Sequence, residues 1–173
     1  MVSNIVIVSL NREISRKVGE ILAEELEMHF LDTIELFEFD NIPRSLSDIL
    51  KENGEKYFRE KEKSLTGYAS GFENTVINIE SGCCLVAKNI KKLKENCLVI
   101  YLHFPPNTIK KYLDKKNYET EELKKFYNIT LKKIERRAEI LSDKADIRIS
   151  ASNKSFLKLS SEVLRAINAY YLN

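Results

Sequence analysis

The hydrophobic positions of the chain fall into five short runs, separated by longer segments of mixed polarity. The runs lie at residues 5–8, 29–31, 75–79, 98–102 and 145–149. Most of them are rich in β-branched residues, which is typical of strands buried on both faces of a sheet. None approaches the ~20 apolar residues that a membrane span needs. The pattern therefore predicts five buried strands in a protein outside the membrane.

The segments between these runs carry apolar residues at intervals of three and four, which is the spacing of one helix face. The first of them places Val18, Ile21, Leu22 and Leu26 on such a face. Further helices are predicted at residues 47–50, 55–68, 85–95, 123–141 and 155–171, and Pro105-Pro106 is typical of another helix's first turn. Strands that alternate with helices predict a three-layer α/β fold, a five-stranded parallel sheet with helices on both faces and residues 5–8 at its centre.

Length and composition indicate one folded domain. The chain has 173 residues, of which 43% are hydrophobic and 31% are charged. At this size folding buries roughly 70% of the unfolded chain's surface, so one core suffices. Residues 1–173 are therefore predicted to form a single domain. Residues 114–122, DKKNYETEE, fit neither the strand nor the helix period and are the candidate for a short lid.

Charge and cysteine usage narrow the classes of partner. The formal net charge of +2 is too small to indicate nucleic acid or an anionic membrane as a partner. The three cysteines, with Cys83 and Cys84 adjacent, provide neither a disulfide framework nor zinc-ligand spacing, so no metal site is expected. The start of the sequence lacks the features of a signal peptide, and a reducing cytoplasm is the expected location.

Several stretches match, in order and spacing, the motifs of one enzyme family. Residues 54–62, GEKYFREKE, fit the pattern GExxFRxxE, and residues 30–33, FLDT, fit the start of F-[IL]-D-[TS]-D. Weaker matches follow at residues 76–82, 96–102 and 137–147. Together they cover nearly the whole chain and resemble shikimate kinase, a P-loop kinase family. The resemblance implies a five-stranded parallel sheet, a P-loop for ATP, magnesium, a shikimate pocket and a lid.

The phosphate-binding loop departs from this resemblance. A P-loop reads G-x-x-x-x-G-K-[ST]: its glycines let backbone N–H groups surround phosphate, its Lys neutralises the phosphate oxygens, and its hydroxyl holds magnesium. The aligned residues at the four defining positions are Ser9, Ile14, Ser15 and Arg16. Ile14 resists the positive φ that glycine supplies, and Glu13 adds a negative charge. Arg12 and Arg16 restore positive charge, but with a different reach and geometry.

The substrate side of the resemblance is retained in part. Three residues match positions that bind the shikimate carboxylate or shape its pocket: Arg59, Arg137 and Gly82. Asp32 matches the first Asp of the family's DxD, but the second Asp, which contacts the shikimate hydroxyls in the family, is Ile34 here. Glu80 stands where the family's Gly-Gly-Gly turn begins, and its carboxylate would disfavour that of shikimate.

Three of these residues also have structural interpretations, and the sequence leaves both kinds open. Arg59 and Glu62 are three apart on a predicted helix, so they form either an anion site held by a carboxylate or a helix surface pair. Arg137 stands in a basic run and either binds an anion or lies on a solvated face. Asp32 is either a magnesium-side carboxylate or a cap after the second strand.

The accumulated losses favour an inactive protein. Phosphoryl transfer depends almost entirely on positioning and electrostatics, and one preorganised donor is worth about 10²–10³ in turnover. We therefore expect a shikimate-kinase-like pseudoenzyme with no catalytic residue and no cofactor, which retains at most a small anionic ligand or a regulatory role; by resemblance it relates to aromatic amino acid biosynthesis. Two alternatives remain: an active shikimate phosphotransferase that uses ATP and magnesium through an atypical loop, and a scaffold for an unknown protein partner.

Overall fold

The computed structural model describes residues 3–39, 46–105, 108 and 121–172. Its strands are β1 (Asn4–Ser9), β2 (His29–Asp32), β3 (Thr75–Glu80), β4 (Cys97–His103) and β5 (Ile147–Ser150). They form one parallel sheet in the order β2-β3-β1-β4-β5. The predicted five-stranded parallel sheet with β1 at its centre is confirmed. The last strand begins at Ile147 rather than at residue 145.

Six helices surround this sheet within the described ranges. They are α1 (Arg12–Glu25), α2 (Thr33–Phe39), α3 (Leu46–Ala69), α4 (Ala87–Lys94), α5 (Glu121–Lys144) and α6 (Phe156–Leu172). None of these described helices is long and apolar enough to cross a membrane. Helix α2 was not predicted, and the helix predicted from residue 85 starts at Ala87 because a 3-10 turn, Cys83–Leu85, precedes it.

Gly54 interrupts α3 at the point where the sequence predicts a break between two helical segments. Its φ of 78° and ψ of 173° are a conformation that essentially only glycine adopts. Two other predictions fall mostly outside the described residues: the helix opening at Pro105-Pro106, and the lid at 114–122. Of the predicted lid, only Glu121 and Glu122 are described, as the beginning of α5.

Alternating side chains of the central strands build a core on each face of the sheet. Ile5 and Ile7 belong to the cluster that packs against α1 and α6. Val6 and Val8 belong to the cluster that packs against α3, α4 and α5. This three-layer arrangement buries the strands on both faces and leaves their carboxyl ends together at one edge.

Candidate functional site

The residues predicted to form a site lie at the carboxyl edge of the sheet, where open parallel sheets usually bind ligands. Ser9 and Glu80 end the neighbouring strands β1 and β3 in register with each other. Asp32 ends β2, the next strand outward, opposite Asn78 of β3. The sheet therefore places the loop side and the substrate side of the predicted site next to each other.

The chain passes from β1 into α1 through only two residues. β1 ends at Ser9, Leu10 and Asn11 follow, and α1 begins at Arg12. In the P-loop pattern four residues separate the two glycines; here Arg12 and Glu13, two of those four, are already helical. Ile14, at the second glycine position, lies inside the first turn of α1 and packs against the core.

Several N–H groups at this junction donate hydrogen bonds to other atoms of the same segment. Asn11 caps α1, since its Oδ1 accepts from the Glu13 N–H at 3.1 Å. The Asn11 carbonyl accepts from the Ser15 N–H at 3.3 Å. Ser9 Oγ accepts from the Asn11 N–H at 3.2 Å and donates to the Leu102 carbonyl at 3.0 Å. The N–H groups of Asn11, Glu13 and Ser15 therefore already have partners within the chain.

The Asp32 side chain is fully buried, and its carboxylate accepts four hydrogen bonds. Its Oδ1 accepts from Arg12 Nη2 at 2.8 Å, from the Ile34 N–H at 2.8 Å and from the Glu35 N–H at 3.2 Å. Its Oδ2 accepts from Asn78 Nδ2 at 2.7 Å. The carboxylate thus caps α2 and ties it to α1 and β3.

Both arginines of the loop segment turn towards carboxylates of the chain itself. Arg12 Nε lies 3.7 Å from Glu80 Oε1, in addition to the contact with Asp32. Arg16 pairs with Glu35 at 2.6 Å and with Glu20 at 2.7 Å. The hydrogen bond to Glu35 is the largest cause of a raised pKa of Arg16. The positive charges of the segment are thus neutralised internally.

Ile34 lies in the contact between α2 and α3. Its side chain is buried with Phe37 in a small apolar cluster, against which Tyr57 and Leu65 pack. The position that carries the second Asp in the resembling family is therefore part of the contact between α2 and α3. A carboxylate there would be buried among apolar side chains.

On the substrate side, Arg59 forms an ion pair with Glu62 one helical turn away. Only 3% of the Glu62 side chain is exposed, and burial raises the pKa of Glu62 while Arg59 opposes the shift. Gly82 packs directly against this pair. A Cβ atom added at Gly82 would clash with Arg59 Nη1 and would lie 3.0 Å from Glu62 Oε1. Its φ is −65°, so the backbone does not require glycine here, but a larger residue would have to displace the end of the Arg59 side chain.

Arg137 reaches the same turn from α5. Its Nη1 lies 3.5 Å from Ser81 Oγ, and its buried Nε has no hydrogen-bond partner among the described residues. Since Ser81 and Gly82 are adjacent, the structure brings Arg59 and Arg137 to one turn from two different helices. Burial raises the pKa of Glu80, which ends the strand before this turn, while Arg12 and Arg137 oppose the shift.

Sequence reasoning missed two features of the site. The first is Asn78, whose side-chain N–H donates to Asp32 from the middle of β3, while its own Oδ1 is buried without a partner in the part of the chain that the structure describes. A lone amide in an apolar strand was a usable signal, because buried polar groups need partners. The second is the ion pair between Arg12 and Asp32, which are 20 residues apart. Among the described residues, no group of three or more His, Cys, Asp or Glu is placed to hold a metal ion.

Comparison with protein families gives a match to the shikimate kinase family over residues 16–168. The match begins at Arg16, so Ser9 to Ser15 lie before it. Two similar proteins are the shikimate kinase of Persephonella marina, 35% identical over 150 residues (87% of this chain and 90% of the relative), and that of Bacillus mycoides, 31% identical over 151 residues (87% and 90%).

Solved structures show the same fold. The shikimate kinase from Acinetobacter baumannii in complex with shikimate gives a TM-score of 0.82 at 23% identity, covering 100% of this chain and 97% of that one. The shikimate kinase from Aquifex aeolicus gives 0.78 at 22% identity, covering 98% of each chain. At these identities the likeness concerns the architecture alone.

Proposed function

Because this chain belongs to the shikimate kinase family, we propose that it is a degenerate member which does not bind magnesium-ATP and does not phosphorylate shikimate. We propose further that it retains an anion-binding site formed by Arg59, Arg137 and Gly82. The observation that carries the first part is the junction of β1 and α1, where the helix begins at Arg12.

A nucleotide phosphate needs a ring of inward N–H groups, a cation and a magnesium ligand. The early start of α1 supports the absence of that ring, because three N–H groups of the junction, those of Asn11, Glu13 and Ser15, are bonded to Ser9 or Asn11. The Arg12 guanidinium lies beside the carboxylates of Asp32 and Glu80, so its positive charge is already compensated within the chain. Atoms that would serve ATP are thus used in holding α1, α2 and β3 together.

Transfer of a phosphoryl group to a hydroxyl also needs a group that positions or deprotonates the hydroxyl. Ile34 provides neither function, and it lies in the apolar contact between α2 and α3. Asp32 already accepts four hydrogen bonds from the chain. The β1–α1 junction and the residues Asp32 and Ile34 therefore support the proposed inactivity independently of each other.

The anion site is supported by two arginines that meet at one turn. Arg59 lies against Gly82, and Arg137 lies beside Ser81. Glu62 neutralises Arg59 in part, from within the same helix. A small carboxylate, sulfate or phosphate would add charge-assisted hydrogen bonds worth roughly 1.5–3 kcal/mol each.

A coupled assay for shikimate phosphorylation and a thermal-shift titration with shikimate and sulfate test the two parts separately. We expect no turnover, together with stabilisation by either anion that is lost in Arg137→Gln. Arg136→Gln, which changes the exposed neighbour on α5, is the matched control and should bind as the native chain does. Turnover by the native chain would refute the first part, and equal binding by both variants would refute the second.

The alternative of an active kinase rests on the relatives, which are named shikimate kinases and align over 87% of this chain. Arg12 or Arg16 would then have to leave its carboxylate partners and take the place of the P-loop lysine. The coupled assay decides between this alternative and the proposal.

A further inference from the structure

The positive charges of the candidate site are already matched by carboxylates of the chain. Among the described residues, four guanidinium groups lie near five carboxylates: Arg12, Arg16, Arg59 and Arg137 beside Glu20, Asp32, Glu35, Glu62 and Glu80. An anion that enters such a site adds uncompensated negative charge to a partly buried cluster. That excess is removed most simply if one of the carboxylates takes up a proton.

The carboxylates differ in how firmly they are held. Asp32 accepts four hydrogen bonds, Glu62 is paired directly with Arg59, and Glu35 pairs with Arg16 at 2.6 Å. Glu80 is paired more weakly, because its Oε1 lies 3.7 Å from Arg12 Nε, which is longer than a normal hydrogen bond. Its side chain is 26% exposed, so a proton can reach it.

Charges from four other elements act on Glu80. Arg12 of α1 and Arg137 of α5 favour its carboxylate form, whereas Glu62 of α3 and Asp32 of β2 disfavour it. Burial disfavours it most, so the pKa of Glu80 already lies above the ordinary value in the free protein. A bound anion beside Arg137 would raise that pKa again, because it adds repulsion and draws Arg137 away from Glu80.

We propose that the site binds an oxyanion together with one proton, and that Glu80 is the group that takes up the proton. This inference rests on the anion site proposed above. It concerns a residue at which the chain departs from its family resemblance, since Glu80 stands where the Gly-Gly-Gly turn begins. In this protein the substituted residue makes anion binding depend on pH.

The sign of the dependence follows from linkage. Between the pKa of Glu80 in the free protein and its higher value in the complex, binding takes up a proton, so affinity rises as pH falls, by at most about tenfold per pH unit. Above the higher value the affinity is low and constant. Below the lower value it is high and constant, because Glu80 is then neutral before the anion arrives.

Calorimetric titration with sulfate between about pH 5 and pH 8 tests this linkage. Sulfate suits the purpose because it does not titrate in that range. Repeating each titration in two buffers of different ionisation enthalpy counts the protons taken up. We expect affinity to rise as pH falls, with net proton uptake that approaches one per sulfate.

Glu80→Gln imitates the protonated form with nearly the same shape. It should bind sulfate more tightly than the native chain at neutral pH, with affinity independent of pH and no proton uptake. Glu139→Gln, which removes an exposed carboxylate from α5, is the matched control and should keep the native pH dependence.

The outcomes separate this inference from the anion site itself. Sulfate binding that does not vary with pH would overturn the proton linkage and leave the anion site standing. A pH dependence that persists in Glu80→Gln would overturn the role of Glu80. Absence of sulfate binding by both proteins at every pH would overturn the site and the linkage together.

Discussion

At the scale of single residues, Asp32 is a buried carboxylate whose hydrogen bonds join three elements of the fold. Its carboxylate is fully buried and bonded to Arg12, to Asn78 and to two N–H groups of α2. Breaking a buried hydrogen-bonded pair leaves an uncompensated charge, which is strongly destabilising. The stability of this corner of the molecule therefore depends on the carboxylate of Asp32.

Replacement of Asp32 by Ala removes the helix cap and leaves Arg12 without its closest carboxylate. We expect the free energy of unfolding to fall by about 2–4 kcal/mol, measured by urea denaturation, because Asn78 and two N–H groups of α2 lose their acceptor while Arg12 stays partly exposed beside Glu80. Glu35→Gln changes a half-exposed carboxylate at the same corner and should cost less than about 1 kcal/mol. Equal, small effects of both substitutions would contradict the structural role of Asp32.

Gly82 shows how closely the chain packs at the retained arginines. In Gly82→Ala the new methyl group displaces the Arg59 guanidinium from Glu62, so we expect a loss of roughly 1–3 kcal/mol and loss of sulfate binding. Gly67→Ala is the control, because nothing lies within 4 Å of its added Cβ in helix α3. It should stabilise the protein by about 0.4–1 kcal/mol. A Gly82→Ala variant that unfolds and binds as the native chain does would show that Arg59 is not held there.

At the scale of elements, the five strands were predictable because each is a short apolar run buried on both faces. Helix α2 was not, since its seven residues are too short for a periodic signal and Asp32 caps it from the preceding strand. The loss of the P-loop residues was visible in the sequence. The early start of α1 was not, because it depends on the capping of the first turn by Asn11 and on the Arg12–Asp32 pair.

The β1–α1 junction gives a prediction about repair. Ser15→Lys alone should restore neither nucleotide binding nor turnover, because α1 still begins at Arg12. Replacing residues 9–16 as a block with a G-x-x-x-x-G-K-S sequence should restore ATP binding, measured by calorimetry, without shikimate turnover, because Ile34 and Glu80 remain. Turnover in either variant would contradict the independent loss on the substrate side.

At the scale of the whole molecule, the buried acids determine how stability responds to pH. Burial raises the pKa of Glu62 and of Glu80 in the folded state above the ordinary value. The folded state therefore binds more protons than the unfolded state, and the contribution of these groups is lost as pH rises from the ordinary carboxyl range through the raised values. Ionisation of Glu62 and Glu80 therefore lowers the free energy of unfolding as pH rises.

Glu80→Gln should flatten this pH dependence. We expect its melting temperature to exceed that of the native chain by more at about pH 8 than at about pH 5, measured by calorimetry without added anions. Parallel curves for the two proteins would show that Glu80 ionises as readily in the folded chain as in the unfolded one.

We propose that the β1–α1 junction has exchanged phosphate binding for internal contacts. Calorimetric titration of the native chain with magnesium-ATP tests it most directly, with the shikimate kinase of Persephonella marina as the reference protein. We predict no saturable binding of magnesium-ATP below about 1 mM, a free energy of association weaker than about −4 kcal/mol. Saturable binding with a Kd near 1 μM, about −8 kcal/mol, would show that Arg12 and Arg16 leave Asp32 and Glu35 for the nucleotide, and it would contradict the claim.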